Sequence, residues 1–463
     1  MAEYEDLRQR HVADLTTLMP EHVQRLRWPA DRLRQERRDR LRDLLRVAKA
    51  SSPWHRDRLA GVDPDGFEEA DLAGLPPMTK DDLMANWDRV VTDRRLTLEL
   101  VEGHLAGVES DTYLFDELHA VASGGSTGRR GIFVFGWRAW AKAYAGFMRP
   151  SLWDRAVAPE LAAQPMRVAM VGARIATHMT SAMPQTFANP MVDVALFPVT
   201  QPIDRIVAGL NAYQPLALMG YPSMLALLAA EARAGRLRIL PRRVTTTSEP
   251  LLPEVRRALT EAFCAPVANM YGTSEAGPIG VGCFRRPGIH LCDDLVIVEP
   301  VDLDGRPVPP GVRSDKLYVT ALVNPTLPLI RFELTDQVTF LDGPCPCGSA
   351  HQLIADVESR LDDVFTYPGG LVVHPHVFGA QLRRDRGIVE YQVRQTPAGA
   401  EVLVVGAPAD PAATGRALAA ELARLGVPDP AVEVHRVDRL ERQPTGKVRR
   451  FLPLASLGAS LSA

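Results

Sequence analysis

The apolar positions change rhythm several times along the chain. Near the start, residues 5–60 read as helices; in one of them Leu41, Leu44, Leu45 and Ala48 recur at helical spacing with arginines on the opposite face, and Ser51-Ser52-Pro53 ends it. Pro76-Pro77-Met78-Thr79 reads as a turn and a helix start, with Thr79 as N-cap. A β-prone stretch, 113–122, and an apolar run, 132–136, flank a run of small residues. Buried strands then follow at 167–172, 193–199, 216–221, 244–248 and 267–271. Helical stretches lie among them at 203–213, at 222–234 and up to about Phe263. Such alternation predicts a parallel sheet covered by helices on both faces.

From Asp294 the rhythm shortens. Segments 295–299, 316–322 and 337–341 are β-prone and separated by Gly and Pro, as in a small β-rich subdomain of about 294–361. The last hundred residues carry strands at 389–394, 401–405 and 432–437 and a helix at 414–425. The expected fold is therefore a large α/β N-terminal domain, 1–361, followed by a small α+β domain, 362–463. The length agrees, since 463 residues exceed one ordinary domain.

Composition narrows the classes of function. Hydrophobic residues make up 46% and charged residues 24%, an ordinary globular balance. A net charge of −3 gives no reason to expect nucleic acid or an anionic membrane as partner. The arginine run from Arg32 to Arg46 is interrupted by Glu36, Asp39 and Asp43, which suits a solvated helix face. The polar, acidic N-terminus is unlike a signal peptide, and no apolar run would span a bilayer, so a cytoplasmic location is expected. Arginine dominates the basic residues; the five lysines are Lys49, Lys80, Lys142, Lys316 and Lys447, and each merits attention.

Four stretches carry candidate chemistry. Residues 122–131 hold four glycines, two serines and a threonine between two strands. Glycines let backbone N–H groups approach a polyphosphate, although the same stretch also reads as a plain hairpin loop. No Lys-Ser or Lys-Thr pair closes it, so it is not a Walker A loop. Tyr271-Gly272-Thr273-Ser274-Glu275 follows a strand, where ligands of open α/β sheets bind. Asp336, at the end of 331–336, could bridge two ribose hydroxyls, and 443–450 carries Lys447 in a Thr-Gly-Lys context. Apart from these, Cys283 and His290 precede Cys345-Pro346-Cys347 with a spacing that favours zinc over disulfides in a cytosolic chain. Three thiolates and one imidazole suit a closed tetrahedral site. Cys264 and Cys292 read as ordinary buried cysteines.

Taken in order, these motifs resemble the adenylate-forming superfamily of acyl-CoA synthetases, adenylation domains and luciferases, and within it the phenylacetate–CoA ligase-like group. The resemblance runs from about Leu41 to Leu454. It implies an acyl-adenylate made from ATP and a carboxylic acid with release of pyrophosphate, then transfer to CoA. By residue, it implies a phosphate loop at Ser123, Gly124, Gly125, Ser126, Thr127 and Gly128, and an adenine segment at Ser248, Glu249 and Pro250. Tyr271 and Gly272 would also contact the nucleotide, as would Asp336 at the ribose and Arg360. Lys447, Glu275 and Thr273 would be catalytic, with Glu275 a magnesium ligand, and Asp362 would be the hinge about which a mobile C-terminal lid rotates. The acid pocket would involve Tyr221, Ala268, Met270 and Ile279, with His178 and Met179 from the preceding loop, and would be aryl-sized.

Two departures from the family pattern stand out. The loop reads Gly124-Gly125-Ser126-Thr127 where relatives commonly have Ser-Gly-Thr-Thr, and Tyr367-Pro368-Gly369-Gly370-Leu371 replaces the segment that faces the acceptor in relatives. The second leaves other acceptors open: a carrier-protein thiol, an amine, or nitrite in diazotisation. A non-catalytic nucleotide-binding protein on the same fold is the alternative of another class, and a homodimer is left open.

Overall fold

The computed structural model describes residues 2–123, 130–157, 166–172, 175–189, 192–357, 359–360, 363–373, 375–382, 384–385, 387–443 and 447–454. Its centre is a nine-stranded sheet. From one edge to the other the order is Phe340–Leu341, Leu353–Ile354, Ile289–Leu291, Gly277–Gly282, Val267–Thr273, Arg243–Thr247, Ala217–Gly220, Met166–Gly172 and Val192–Pro198. The last five are mutually parallel, as the alternation predicts, with Ile203–Tyr213, Pro222–Arg233 and Pro253–Phe263 as crossover helices.

The other four strands are antiparallel additions, and three of them, Gly277–Gly282, Ile289–Leu291 and Leu353–Ile354, fall outside the stretches read as β-prone. Gly277–Gly282 is a fully buried strand rich in glycine, a composition that ordinarily weakens a strand and reads as loop. Here close backbone approach requires it. A Cβ on Gly280 would lie 2.5 Å from Ile289 Cγ2, and one on Gly282 would lie 2.5 Å from the Asn269 nitrogen.

Two further expectations need correction. Of the stretch 113–122, Leu118 to Ala122 form a strand, in a hairpin with Ile132–Gly136, while Leu114 folds back on Leu118 because Phe115 and Asp116 take positive φ in a turn. The segment 337–341 divides into Asp336–Gln337, paired with Ser359–Arg360, and Phe340–Leu341, which joins the large sheet. Val296–Val301, Lys316–Ala321 and Phe332–Leu334 form a three-stranded antiparallel sheet.

The N-terminal helices Ala2–Arg25, Ala30–Ser51 and Pro53–Arg58 pack on this body. Ser52 caps the third by accepting from the His55 backbone N–H at 3.2 Å. His11 stacks on Trp137, ring centroids 3.9 Å apart, and so ties the first helix to the helix Trp137–Val157. Deeper, the Arg149 guanidinium meets both carboxylate oxygens of Asp294 at 2.7 and 2.8 Å, and both side chains are about 1% exposed or less. Arg25 reaches the same carboxylate at 3.3 Å.

The C-terminal elements form a four-stranded sheet in the order Ala431–Arg436, Gly399–Gly406, Ile388–Thr396, Phe451–Leu452, with the helix Pro411–Arg424 packed on it. Cys292 is buried as expected, whereas Cys264 is exposed. The latter follows a helix end in the left-handed region, at φ +49°, where the chain turns at the surface. Among the described residues no helix is long and apolar enough to cross a membrane.

Candidate active site

The parallel strands end at a cavity of about 680 Å³, and the sequence motifs converge there. Ser123, Ser248-Glu249-Pro250, Tyr271 to Glu275, Asp336 and Lys447 all line it. These residues span more than 300 positions, so tertiary folding alone assembles them.

Each is held by its local structure. Ser123 closes the base of the hairpin: its N–H donates to the Gly131 carbonyl at 2.9 Å, and its Oγ accepts from the Gly131 N–H at 2.8 Å. Gly124, Gly125, Ser126, Thr127 and Gly128 lie outside the described residues, as does Asp362. Ser248 leaves the strand Arg243–Thr247 at φ +68°, a conformation that costs a non-glycine residue on the order of 1 kcal/mol and concentrates at functional sites. Gly272 lies under Phe147, whose ring would be 2.5 Å from any Cβ at that position. Thr273 Oγ1 accepts from the Ala276 N–H at 3.1 Å and so closes the turn that holds the half-buried Glu275 at the cavity wall.

Asp336 is buried, and the Tyr271 hydroxyl donates to its Oδ2 at 3.1 Å. Backbone pairing places Asp336 opposite Arg360. Lys447 is half-buried, with Nζ 5.9 Å from the centre of the Tyr221 ring.

The walls beyond these groups are apolar. Met148, Met170, Met179, Met183, Met219 and Met270 face the cavity, together with Tyr144 and Phe147. His178 also lines it; burial pushes its pKa down to about 4, with Lys447 and Arg130 adding to the effect, so the ring is neutral at pH 7. Of the residues expected at an acid pocket, Met270, His178 and Met179 therefore face the space. Tyr221, Ala268 and Ile279 do not line it; each is 2% exposed or less. Ala268 packs against Gly282 of the adjacent strand, and Ile279 and Tyr221 sit in separate hydrophobic clusters.

Sequence reasoning missed the other four methionines and Lys80. The methionines come from separate elements with no shared local pattern. Lys80 lines the cavity, with its Cε 3.2 Å from the position a Cβ would take on Gly131. The scarcity of lysine was the one signal for it.

A second cluster sits at the far end of the sheet. One ligand atom from each of Cys283, His290, Cys345 and Cys347 lies within 4.8 Å of all the others. Cys283 Sγ is 3.6 Å from Cys345 Sγ, and Cys347 Sγ is 3.2 Å from His290 Nε2. His290 Nδ1–H donates to the His351 carbonyl at 3.1 Å, which leaves Nε2 as the ligating nitrogen. Burial opposes ionisation of Cys283, but hydrogen bonds to its sulfur, those of the Arg285 and Arg286 backbone among them, outweigh it and bring the thiol down to about 6. Soft, ionisable sulfur and one oriented imidazole at these separations fit a tetrahedral metal.

Comparison with known proteins agrees with this geometry. Residues 176–317 match the model of the AMP-binding enzyme family. The chain is similar in fold to 2-hydroxyisobutyryl-CoA ligase, at 22% identity over 95% of this chain and 93% of that one. The TM-score is 0.71 for the postadenylation state in complex with R3-HIB-AMP. For the same enzyme with 2-HIB-AMP and CoA in the thioesterification state it is 0.57, at 22% identity over 95% and 94%. The chain shares the fold of that enzyme. In sequence it is similar to phenylacetate-coenzyme A ligase of Thermus thermophilus, at 26% identity over 383 residues that cover 79% of this chain and 78% of that one.

Proposed function

We propose that this protein is an AMP-forming acid–thiol ligase that activates an aryl or aryl-alkenoic acid as its acyl-adenylate and passes the acyl group to CoA. The observation that carries the reading is the meeting of Ser123, Tyr271, Glu275, Asp336 and Lys447 at one cavity. In the first step a carboxylate oxygen attacks the α-phosphorus of ATP and the bond to pyrophosphate breaks. In the second the thiol sulfur attacks the acyl carbon, AMP leaves, and the thiol proton is lost to solvent.

The first step brings anion to anion, so its barrier is electrostatic and positional. Asp336, steadied by Tyr271, accepts from the ribose 2′- and 3′-hydroxyls. Lys447 places a point charge on a long stem against the carboxylate and α-phosphate oxygens. Lys80, which also lines the cavity beside Gly131 at the base of the loop, would add a second positive charge for the phosphates. Magnesium, held by Glu275, would neutralise phosphate oxygens. The methionine and aromatic walls support an apolar acid body, because polarisable thioethers and rings pack well on a flat hydrophobic group. Residues 362–463 are the mobile lid of this reading, and the protein acts in the cytoplasm.

A second reading keeps the adenylation and changes the nucleophile to a carrier-protein thiol, an amine or nitrite. The hairpin Phe365–Tyr367 with Leu371–Val373 favours it, since its Gly369-Gly370 turn stands where relatives carry their acceptor-facing segment. Pyrophosphate release over a panel of aromatic and cinnamic acids, with and without CoA and with products weighed by mass spectrometry, tests both. Acid-dependent release with a CoA thioester supports the first reading. Release that stops at the adenylate supports the second. ATP binding without release over any acid overturns the first reading and leaves nitrite or another unusual substrate, or a protein that only binds nucleotide.

The cysteine–histidine cluster holds a structural zinc ion in the same reading. It ties the loop of Cys345 and Cys347 to Cys283 and to the strand of His290. Purified protein is expected to carry one zinc per chain, and Cys347→Ser is expected to lose it and melt several degrees lower. Metal analysis that finds none in the wild type would overturn the assignment.

A further inference from the structure

We infer that Glu249 and Arg442 form a latch that holds Lys447 over the cavity, with Glu249 acting as a positioning residue for adenylation that must release before acyl transfer. The inference rests on the ligase reading above and assigns these side chains a role that the motifs did not suggest. Glu249 falls in the segment expected to meet adenine. Its carboxylate instead takes three protein donors: the Ser223 N–H at 3.0 Å, the Ser223 hydroxyl at 3.1 Å and the Val448 N–H at 2.9 Å. It is 9% exposed.

The geometry is specific to Lys447. Val448 is the next residue, so the lysine's own backbone hangs from a carboxylate fixed at the end of a central strand. The other support is the start of the helix Pro222–Arg233, where Ser223 offers its N–H and where negative charge is favoured. Arg442 completes the chain of bonds. One of its nitrogens donates to the Ser223 hydroxyl at 3.0 Å, and the other donates to Glu390 at 2.9 Å. The serine thus accepts from Arg442 and donates to Glu249. The Gln443 N–H also donates to the Lys447 carbonyl at 2.9 Å.

The arrangement suits a reversible contact. Arg442 and Glu390 both belong to the C-terminal elements, so their buried ion pair would travel intact when the lid moves. Among the described residues, the Val448–Glu249 and Arg442–Ser223 bonds cross from one part of the chain to the other. After opening, Arg442 keeps Glu390 and the Glu249 carboxylate keeps its two Ser223 donors, which limits the cost of stranding a buried charge.

Glu249→Gln tests this in the full-length protein. The amide would set its NH₂ against one of the three donors, so the cradle cannot be satisfied as before. Hydrogen–deuterium exchange of residues 447–454, in protein without ligands, is expected to quicken about tenfold or more. The helix Pro222–Arg233 serves as the control for folding and should stay protected. With the acid identified from the panel, the adenylation rate is expected to fall on the order of 100-fold with the KM for ATP little changed. Transfer from chemically prepared acyl-adenylate to CoA should stay within about threefold. Arg442→Met is expected to quicken the same exchange in a smaller degree. Unchanged exchange at 447–454 in both variants, or equal loss of the two half-reactions, would overturn the latch. Were the wild type to activate no acid, the ligase reading would fail by itself, and the exchange data would still decide the latch.

Discussion

Lys447→Ala is expected to slow formation of the acyl-adenylate on the order of 100- to 1000-fold while ATP binding changes only a few-fold. The lysine is one of five in the chain, is half-buried, and reaches the cavity that Asp336 and Glu275 share. In the proposed reaction its charge would matter most when the carboxylate approaches the α-phosphate and negative charge gathers between them. A group that acts there lowers the barrier without adding much to ground-state affinity, so the loss should fall on kcat. Lys447→Arg should rescue little, because a planar guanidinium cannot take the place of a compact ammonium at the end of a flexible stem. Single-turnover formation of the adenylate, beside calorimetric titration with ATP, would measure both quantities. Wild-type rates in the alanine variant would sink the role given to Lys447.

The largest expected loss of stability comes from Arg149→Met, at about 3–5 kcal/mol. Arg149 and Asp294 are removed from water and joined by two short bonds, so truncating the arginine leaves a buried carboxylate with Arg25 alone at 3.3 Å. In the wild type burial opposes ionisation of Asp294, but Arg149 outweighs it and holds the carboxyl well below the usual range. A carboxyl lowered in this way contributes stability above its unfolded value, near 4, and loses that contribution only as pH falls through its lower folded value. Without Arg149, burial would raise the same group, so the variant should recover stability on acidification. The gap between the two melting temperatures should therefore be widest near neutral pH and narrow toward pH 4. Adding Asp294→Leu to Arg149→Met should restore part of the loss, since an apolar pair of similar volume avoids the stranded charge. A gap independent of pH would mean that the arginine acts by packing alone.

The two predictions draw on different levels of information. Lys447 was legible because it is scarce and sits in a short ordered motif. Arg149 was not, because nothing local marks an arginine in the helix Trp137–Val157 as the partner of a carboxylate 145 residues away. The same division holds across the molecule. Strand–helix alternation from 166 to 273 is a local pattern: side chains repeat every two or every three to four residues, and the expected elements appear within a residue or two of their bounds, although the helix Met179–Thr186 was not among them. Ser123, Tyr271, Glu275 and Asp336 were visible for a related reason, since each belongs to a compact run of particular residue types.

What only the tertiary structure decided is pairing and direction. Gly277–Gly282 became a central strand because Asn269 and Ile289 approach where a side chain would collide. Glu249, read with the nucleotide, took up the backbone N–H of Val448 199 residues later. Ala268 and Ile279 packed into the sheet and its core, whereas methionines from scattered elements became the cavity wall. The physical reason is the same in each case. The backbone's short repeat is written in neighbouring residues, but which face of an element meets a cavity depends on partners far along the chain, and those contacts exist only once the sheet has closed around them.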